Sequence, residues 1–502
     1  MHEDRIQKIV IVGGGTAGWM VAAALSKVLG RDYARITLVE SDAIGTIGVG
    51  EATIPQINIF NRLLGIDENE FVRRTKGTFK LGIQFVNWAR EGHVYFHPFG
   101  KYGVDMNGVS FHAFWLRMRQ AGLAPDINAY SLAAQAAMDG KFMRPVNAGH
   151  SPLSQIAYAF HFDAGLYAAY LREKAEAAGV IRQEGRIVDV VQDGDSGFVT
   201  AVELEDGSTV PGELFIDCSG FRGLLIADKL GVPFRDWSHW LPCNSAVTVP
   251  CARSETTPPF TRSTARDAGW QWRIPLQHRI GNGYVYCDKY IDHDAAKATL
   301  LANLDGEPMA EPRLIRFTTG IRERAWEKNV VAVGLASGFM EPLESTSIHM
   351  VQSAIAHLLS NFTDRNFDPA CIARYNRIVT TEAEEIRDFL ILHYKATERT
   401  DTPFWTYCRD MDIPDRLAEK IRVFESAGRC FRENEELFND TSWFAVMTGQ
   451  LLKPRTYDPV ANMVGEAETR RRLEDILSAI RHSADYMPRH DDFIRENCAA
   501  MG

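Results

Sequence analysis

Lys8-Ile9-Val10-Ile11-Val12 is an uninterrupted β-branched run, which reads as a buried strand. Gly13-Gly14-Gly15-Thr16-Ala17-Gly18 follows directly, then the Ala-rich, helix-forming stretch from Trp19 to Leu29, then a second strand from Arg35 to Val39 that ends in Glu40. G-x-G-x-x-G alone is a weak signal. Placed between a strand and a helix, with an acid about 20 residues on, it is the dinucleotide fingerprint. Gly13 permits the tight turn, Gly15 lets the backbone approach a pyrophosphate, and Gly18 lets helix and strand pack closely. The first helical turn, at Thr16 and Ala17, offers free N–H groups and the positive end of the helix dipole to phosphate. Glu40 is placed to accept hydrogen bonds from ribose hydroxyls. A chance glycine turn would leave both the spacing and Glu40 unexplained.

Two later strands end in small-residue turns: Leu214-Phe215-Ile216-Asp217 before Cys218-Ser219-Gly220, and Val330-Val331-Ala332-Val333 before Gly334-Leu335. The first resembles a second nucleotide contact of FAD domains. Residues near 1–55, 160–225 and 325–355 are therefore expected to interleave into one α/β domain of FAD-binding, Rossmann type. The stretch 200–208, with its Glu205-Asp206-Gly207-Ser208 turn, reads as a hairpin of an inserted sheet. Beyond about Asp364 the pattern is helical. The expected division is an FAD domain over 1–360, with substrate-side insertions at roughly 80–160, and a mainly helical substrate lobe over 361–502. No second fingerprint appears downstream, so a separate nicotinamide domain is not expected.

Composition removes several classes. The 502 residues carry a formal charge of -10 without an acidic tail or a basic block, which argues against nucleic-acid binding. A hydrophobic fraction of 45% and a charged fraction of 24% fit a chain with a normal core. Eight cysteines lack any C-x-x-C pair, so reduced thiols are expected rather than a disulfide framework or zinc site. No metal is assigned. The acidic start, Met1-His2-Glu3-Asp4, does not read as a signal peptide, and no apolar run is long enough to span a bilayer. A cytoplasmic enzyme without membrane attachment is the expectation.

Trp270-Gln271-Trp272-Arg273-Ile274-Pro275 is the most specific segment. Its tryptophans share one strand face, and the proline ends the run. W-x-W-x-I-P is the signature of flavin-dependent halogenases, and the chain resembles the tryptophan and indole halogenase family. Gly50-Glu51-Ala52-Thr53-Ile54-Pro55 resembles that family's flavin-contacting strap, and Thr78-Phe79-Lys80-Leu81-Gly82-Ile83 the segment bearing its catalytic lysine. Phe96-His97-Pro98-Phe99 resembles its substrate-stacking segment, and the stretch 339–346, with Glu341-Pro342-Leu343-Glu344-Ser345-Thr346, its catalytic glutamate and halide segment. The likeness covers most of the chain and loosens after about residue 380.

The resemblance implies oxidation of chloride or bromide to hypohalous acid at reduced FAD, then electrophilic halogenation of an aromatic ring in a separate pocket. It implies FAD contacts at Gly50, Ala52, Thr53, Gly334 and Leu335 beside those of the fingerprint, with Trp270, Trp272, Ile274 and Pro275 on the flavin side. Lys80, flanked by apolar residues, either hydrogen-bonds the acid as an ammonium or forms a haloamine. Glu344 takes the ring proton or orients the halogenating species, and it is expected to pair with Lys80. Ser345, Thr346 and Ser347 are expected to hold halide through backbone N–H groups. Ser347 stands where most members carry glycine, which leaves chloride against bromide open.

His97 and Phe99 are implied to stack the substrate. The free-tryptophan enzymes hold their amino acid with a Tyr-Tyr pair, a glutamate and a tryptophan. Here the tyrosines are missing, the tryptophan is Phe438, and Glu433 aligns with the glutamate by spacing. Indole or a substituted indole is therefore expected over free tryptophan. The lack of a nicotinamide fold points to reduced FAD supplied by a separate NAD(P)H-dependent flavin reductase. A homodimer is left open. The competing reading is a single-component flavin hydroxylase, whose Asp-Gly element is not seen in His161-Phe162-Asp163-Ala164. A non-catalytic flavin-binding regulator would lack Lys80 or Glu344, and both are present.

Overall fold

The β-branched run at Lys8–Val12 lies at the centre of a sheet in the computed structural model, which describes residues 4–43 and 50–500. Ile9 and Ile11 are wholly buried, and each such side chain contributes ~1.5–3 kcal/mol of apolar burial. On one side the run pairs in parallel with Arg35–Glu40, and beyond that Ile181–Glu184. On the other it pairs with Leu214–Asp217 and then Val330–Ala332. The three segments of sequence thus interleave in one sheet, as expected. Met1, His2 and Glu3 of the acidic start lie outside the described residues.

Helix Thr16–Leu29 packs on this sheet because Gly18 lacks a Cβ; one added there would lie 1.9 Å from the Gly13 carbonyl oxygen. Gly13 sits at φ +107°, and its own Cβ would meet the Cys218 carbonyl oxygen at 2.4 Å. The inserted hairpin is present, with Val199–Leu204 paired to Thr209–Pro211.

A second sheet, of seven strands, carries Gly269–Pro275 between Thr261–Arg266 and Ile280–Tyr286, and ends in Gly82–Val86 and Val94–Pro98. Along Gly269–Pro275, Trp270, Trp272 and Ile274 face one apolar core, which they share with Phe389, Leu390 and Trp443 of the helices that follow residue 361. Helix Pro369–Lys395 is the long element of that helical region. A three-stranded sheet joins the two halves: Gly50–Ala52 and Thr78–Lys80 both pair with Ala159–Asp163. Among the described residues, no helix is long and apolar enough to cross a membrane, and all eight cysteines are free.

Candidate active site

The nucleotide-facing edge is built from the turns after the parallel strands. Gly15 is the N-cap of the first helix and has extended backbone, so the first-turn amides have no intrahelical acceptor. Glu40 lies against the turn: its Oε1 accepts from Arg182 at 2.5 Å, and its Oε2 occupies the volume a Cβ on Gly14 would fill. Gly334, at φ +70°, comes so near the helix that a Cβ there would stand 3.0 Å from that of Ala17. Glycines that a side chain would displace, free amides and one acid form a cradle that fits the diphosphate and ribose of FAD. Thr53 lies deeper, its hydroxyl donating to Phe160 O at 2.8 Å.

Lys80 is wholly buried, on the short strand Thr78–Lys80. Its Nζ donates to Thr53 O at 3.0 Å and to Ser345 Oγ at 2.7 Å, and it lies 5.1 Å from the centre of the Phe99 ring. Burial lowers its pKa to about 7, against a smaller upward pull from Glu344. An ammonium has three N–H donors, so one remains beyond these two bonds.

Glu344 ends the turn Pro342–Glu344 and is also buried. It does not pair directly with Lys80, contrary to expectation. Its partners are His97, with Nδ1 at 3.0 Å from Oε2, and His393, with Nε2 at 2.8 Å from Oε1. Burial alone would raise the carboxyl pKa, but the two imidazoles outweigh it and hold it near 2. His97, expected only as a stacking surface, therefore also binds Glu344. His393 was not foreseen at all: within Leu390-Ile391-Leu392-His393-Tyr394 it resembles a core residue of an amphipathic helix.

The three residues expected to hold halide differ from one another. Ser345 takes the left-handed conformation, φ +61°, and its amide is already bonded to Pro342 O at 3.1 Å. Its hydroxyl serves Lys80 instead. Thr346 is the N-cap of helix Ser347–Ser360, and its buried Oγ1 has no hydrogen-bond partner among the described residues. Ser347 is the first helical residue, with no positive φ, so serine there narrows no backbone option that glycine would have opened. A free hydroxyl at a helix N-terminus fits an anion at Thr346 and Ser347, without Ser345 N–H.

Trp270 does more than present an apolar face. Its indole N–H donates to Glu341 Oε2 at 2.7 Å, and Tyr394 donates to the same oxygen at 2.5 Å. Burial raises the Glu341 pKa to about 7, the two donors acting the other way. Trp270 thus ties the W-x-W strand to the turn carrying Glu344. Trp272 lies over Gly283, where a Cβ would meet its ring at 2.1 Å. Trp270→Phe leaves one donor fewer on a buried carboxyl, and we expect a loss of ~1–3 kcal/mol in urea unfolding. Glu341, absent from the expected site residues, lies within the segment 339–346 that was singled out for Glu344.

In the helical region Phe438 stacks on Phe389, with ring centres 3.9 Å apart, and both lie beside His97. Glu433, expected at the substrate, is exposed. The buried carboxylate is Glu436, three residues on, bonded by Lys420 at 3.0 Å and by the Trp443 indole at 3.2 Å. The apolar pair that follows it, Leu437 and Phe438, was the signal available, against the charged and polar neighbours of Glu433.

The family model described as tryptophan halogenase matches residues 8–466. Tryptophan 6-halogenase SttH of Streptomyces toxytricini is 34% identical, over 100% of this chain and 99% of its own. Among solved structures, Xcc4156, a flavin-dependent halogenase from Xanthomonas campestris, is 48% identical with a TM-score of 0.96, covering 99% of each chain. BrvH, a flavin-dependent halogenase from Brevundimonas sp. BAL3, is 45% identical with a TM-score of 0.95, covering 98% of this chain and 99% of that one.

Proposed function

Because the chain belongs to the flavin-dependent tryptophan halogenase family and is an FAD-dependent halogenase of an aromatic substrate, we propose that it halogenates an indole-type ring with hypohalous acid delivered by Lys80. When bound, reduced FAD supplies the oxidation of halide by oxygen. Gly13, Gly15, Gly18 and Glu40 hold that cofactor, with Gly50, Ala52, Thr53, Gly334 and Leu335 around it. Thr346 and Ser347 receive chloride or bromide. A separate NAD(P)H-dependent reductase furnishes the reduced flavin, since the chain carries one dinucleotide fingerprint.

The observation that carries this reading is the buried pair of sites on adjacent residues: Lys80 Nζ on Ser345, and Glu344 between two imidazoles. The third Lys80 N–H donates to the oxygen of hypohalous acid. The ring carbon bonds to halogen as the O–halogen bond breaks, and the Lys80 proton leaves with that oxygen as water. Glu344 then takes the ring proton. Lys80 is left as an amine and Glu344 as an acid, and transfer of one proton between them restores the start. A lysine titrating near 7 suits an acid in this role. Halogenation of indole should therefore fall as pH rises through about 7. A rate that climbs through that range would instead assign Lys80 the haloamine route.

Preference for indole over free tryptophan rests on the aromatic enclosure of His97, Phe389 and Phe438, and on Glu436, already neutralised by Lys420. A substrate ammonium would find Glu436 already engaged by Lys420. The test is a mass-spectrometric assay with FAD, a flavin reductase, NADH and either halide, supplied with indole or tryptophan. Monohalogenated indole in excess over halogenated tryptophan is expected. Tryptophan as the better substrate, or a gain of one oxygen, would overturn the reading.

A further inference from the structure

We propose that His393 is a positioning residue that keeps the buried Glu344 ionised and aligned; this rests on the halogenase reading of Glu344 above. Its geometry decides the protonation. His393 Nδ1 lies 2.9 Å from Phe389 O, one turn earlier in helix Pro369–Lys395, and a carbonyl only accepts. Nδ1 therefore carries a proton. Nε2 lies 2.8 Å from Glu344 Oε1, and an ionised carboxylate also only accepts. Both ring nitrogens must donate, so His393 is an imidazolium whenever Glu344 is a carboxylate. A buried charge of either kind alone would be expelled by desolvation, and together they form a neutral unit.

The ring cannot rotate out of this role. Phe389 stands edge-on to it at 5.3 Å between centres, and Phe85 at 5.0 Å and Trp88 at 6.1 Å close the remaining sides. The Gln450 amide fixes the backbone by donating to His393 O at 2.6 Å. The other titratable groups around Glu344 are His97 and Tyr95 from strand Val94–Pro98, Lys80 from strand Thr78–Lys80, and Glu341 from the same turn. His97 meets Glu344 through Nδ1, and its ring lies 6.4 Å from that of Phe438 in the aromatic enclosure. His393 is tied at both nitrogens and serves as the fixed counter-charge.

His393→Gln and His393→Leu test this in two independent ways. In the ligand-free protein, infrared difference titration against Glu344→Gln reads the carboxyl directly. The parent should show no protonated Glu344 at pH 5 and above, and both variants should show one. In bromination of indole, His393→Gln should keep KM within about threefold and lose ~10-fold or more in kcat, with a new acid limb in the kcat profile. His393→Leu should lose more, having neither donor nor charge. Unchanged carboxyl titration in His393→Gln, or an unchanged kcat profile, overturns the proposal. If the parent brominates no aromatic compound, the halogenase reading of the site fails, while the carboxyl titration still decides the role of His393.

Discussion

Lys80→Ala yields protein that binds FAD as the parent does and forms halogenated indole at least ~100-fold more slowly, measured as product mass against flavin bound. The cofactor cradle is made by glycines and helix amides on the parallel sheet, whereas Lys80 belongs to the three-stranded sheet beyond Thr53. Its removal deletes the remaining N–H donor and the bond to Thr53 O, but leaves the glycines and helix amides of the parallel sheet in place. A stability measurement separates this from a folding defect. Burial drops the lysine from its ordinary 10.5 to about 7, so between those values the unfolded chain binds a proton that the native protein lacks. Parental stability therefore rises with pH across that window, and the cost of the buried ammonium is complete below it. Lys80→Met, which keeps the apolar stem, should be more stable than the parent at pH 6 in urea unfolding, with the advantage fading toward pH 10. Near-parental turnover by Lys80→Ala would end its assignment to halogen transfer.

Glu344→Gln should leave oxidation of reduced flavin unchanged and lower halogenated product at least ~100-fold, because an amide cannot take the ring proton. The same substitution has a signature at low pH. His97 and His393 overcome the effect of burial and depress the carboxyl from 4.5 to about 2, so its ionised form contributes stability above 4.5 that is lost as pH falls toward 2. The parent should lose stability across that interval, and Glu344→Gln should lack this part of the loss. Equal acid unfolding of the two proteins would mean that the imidazoles do not hold the carboxylate as the geometry implies.

Lys80 and Glu344 could be singled out from their segments, but which residues they would bond could not. The residues that meet them come from 53, 97, 345 and 393, and no local pattern joins those positions. The expected Lys80–Glu344 pair was the simplest pairing of opposite charges. The fold interposes Ser345, whose left-handed backbone turns its hydroxyl toward the lysine while Glu344 points to the histidines. Glu433 and Glu436 show the same limit on a smaller scale. Spacing chose the first, and packing against Lys420 and Trp443 selected the second.

The nucleotide cradle was determined by sequence alone because its chemistry is backbone chemistry: glycines at set intervals, a helix start and an acid at a strand end are all local. The periodicity of the W-x-W strand was equally legible, since alternate residues of a strand must share a face. Which donor met the buried carboxyls was decided only by the tertiary structure. Trp270 on Glu341 and His393 on Glu344 join residues 71 and 49 positions apart. Their ionisation depends on burial and on directed hydrogen bonds, and both exist only once the helical region closes over the seven-stranded sheet.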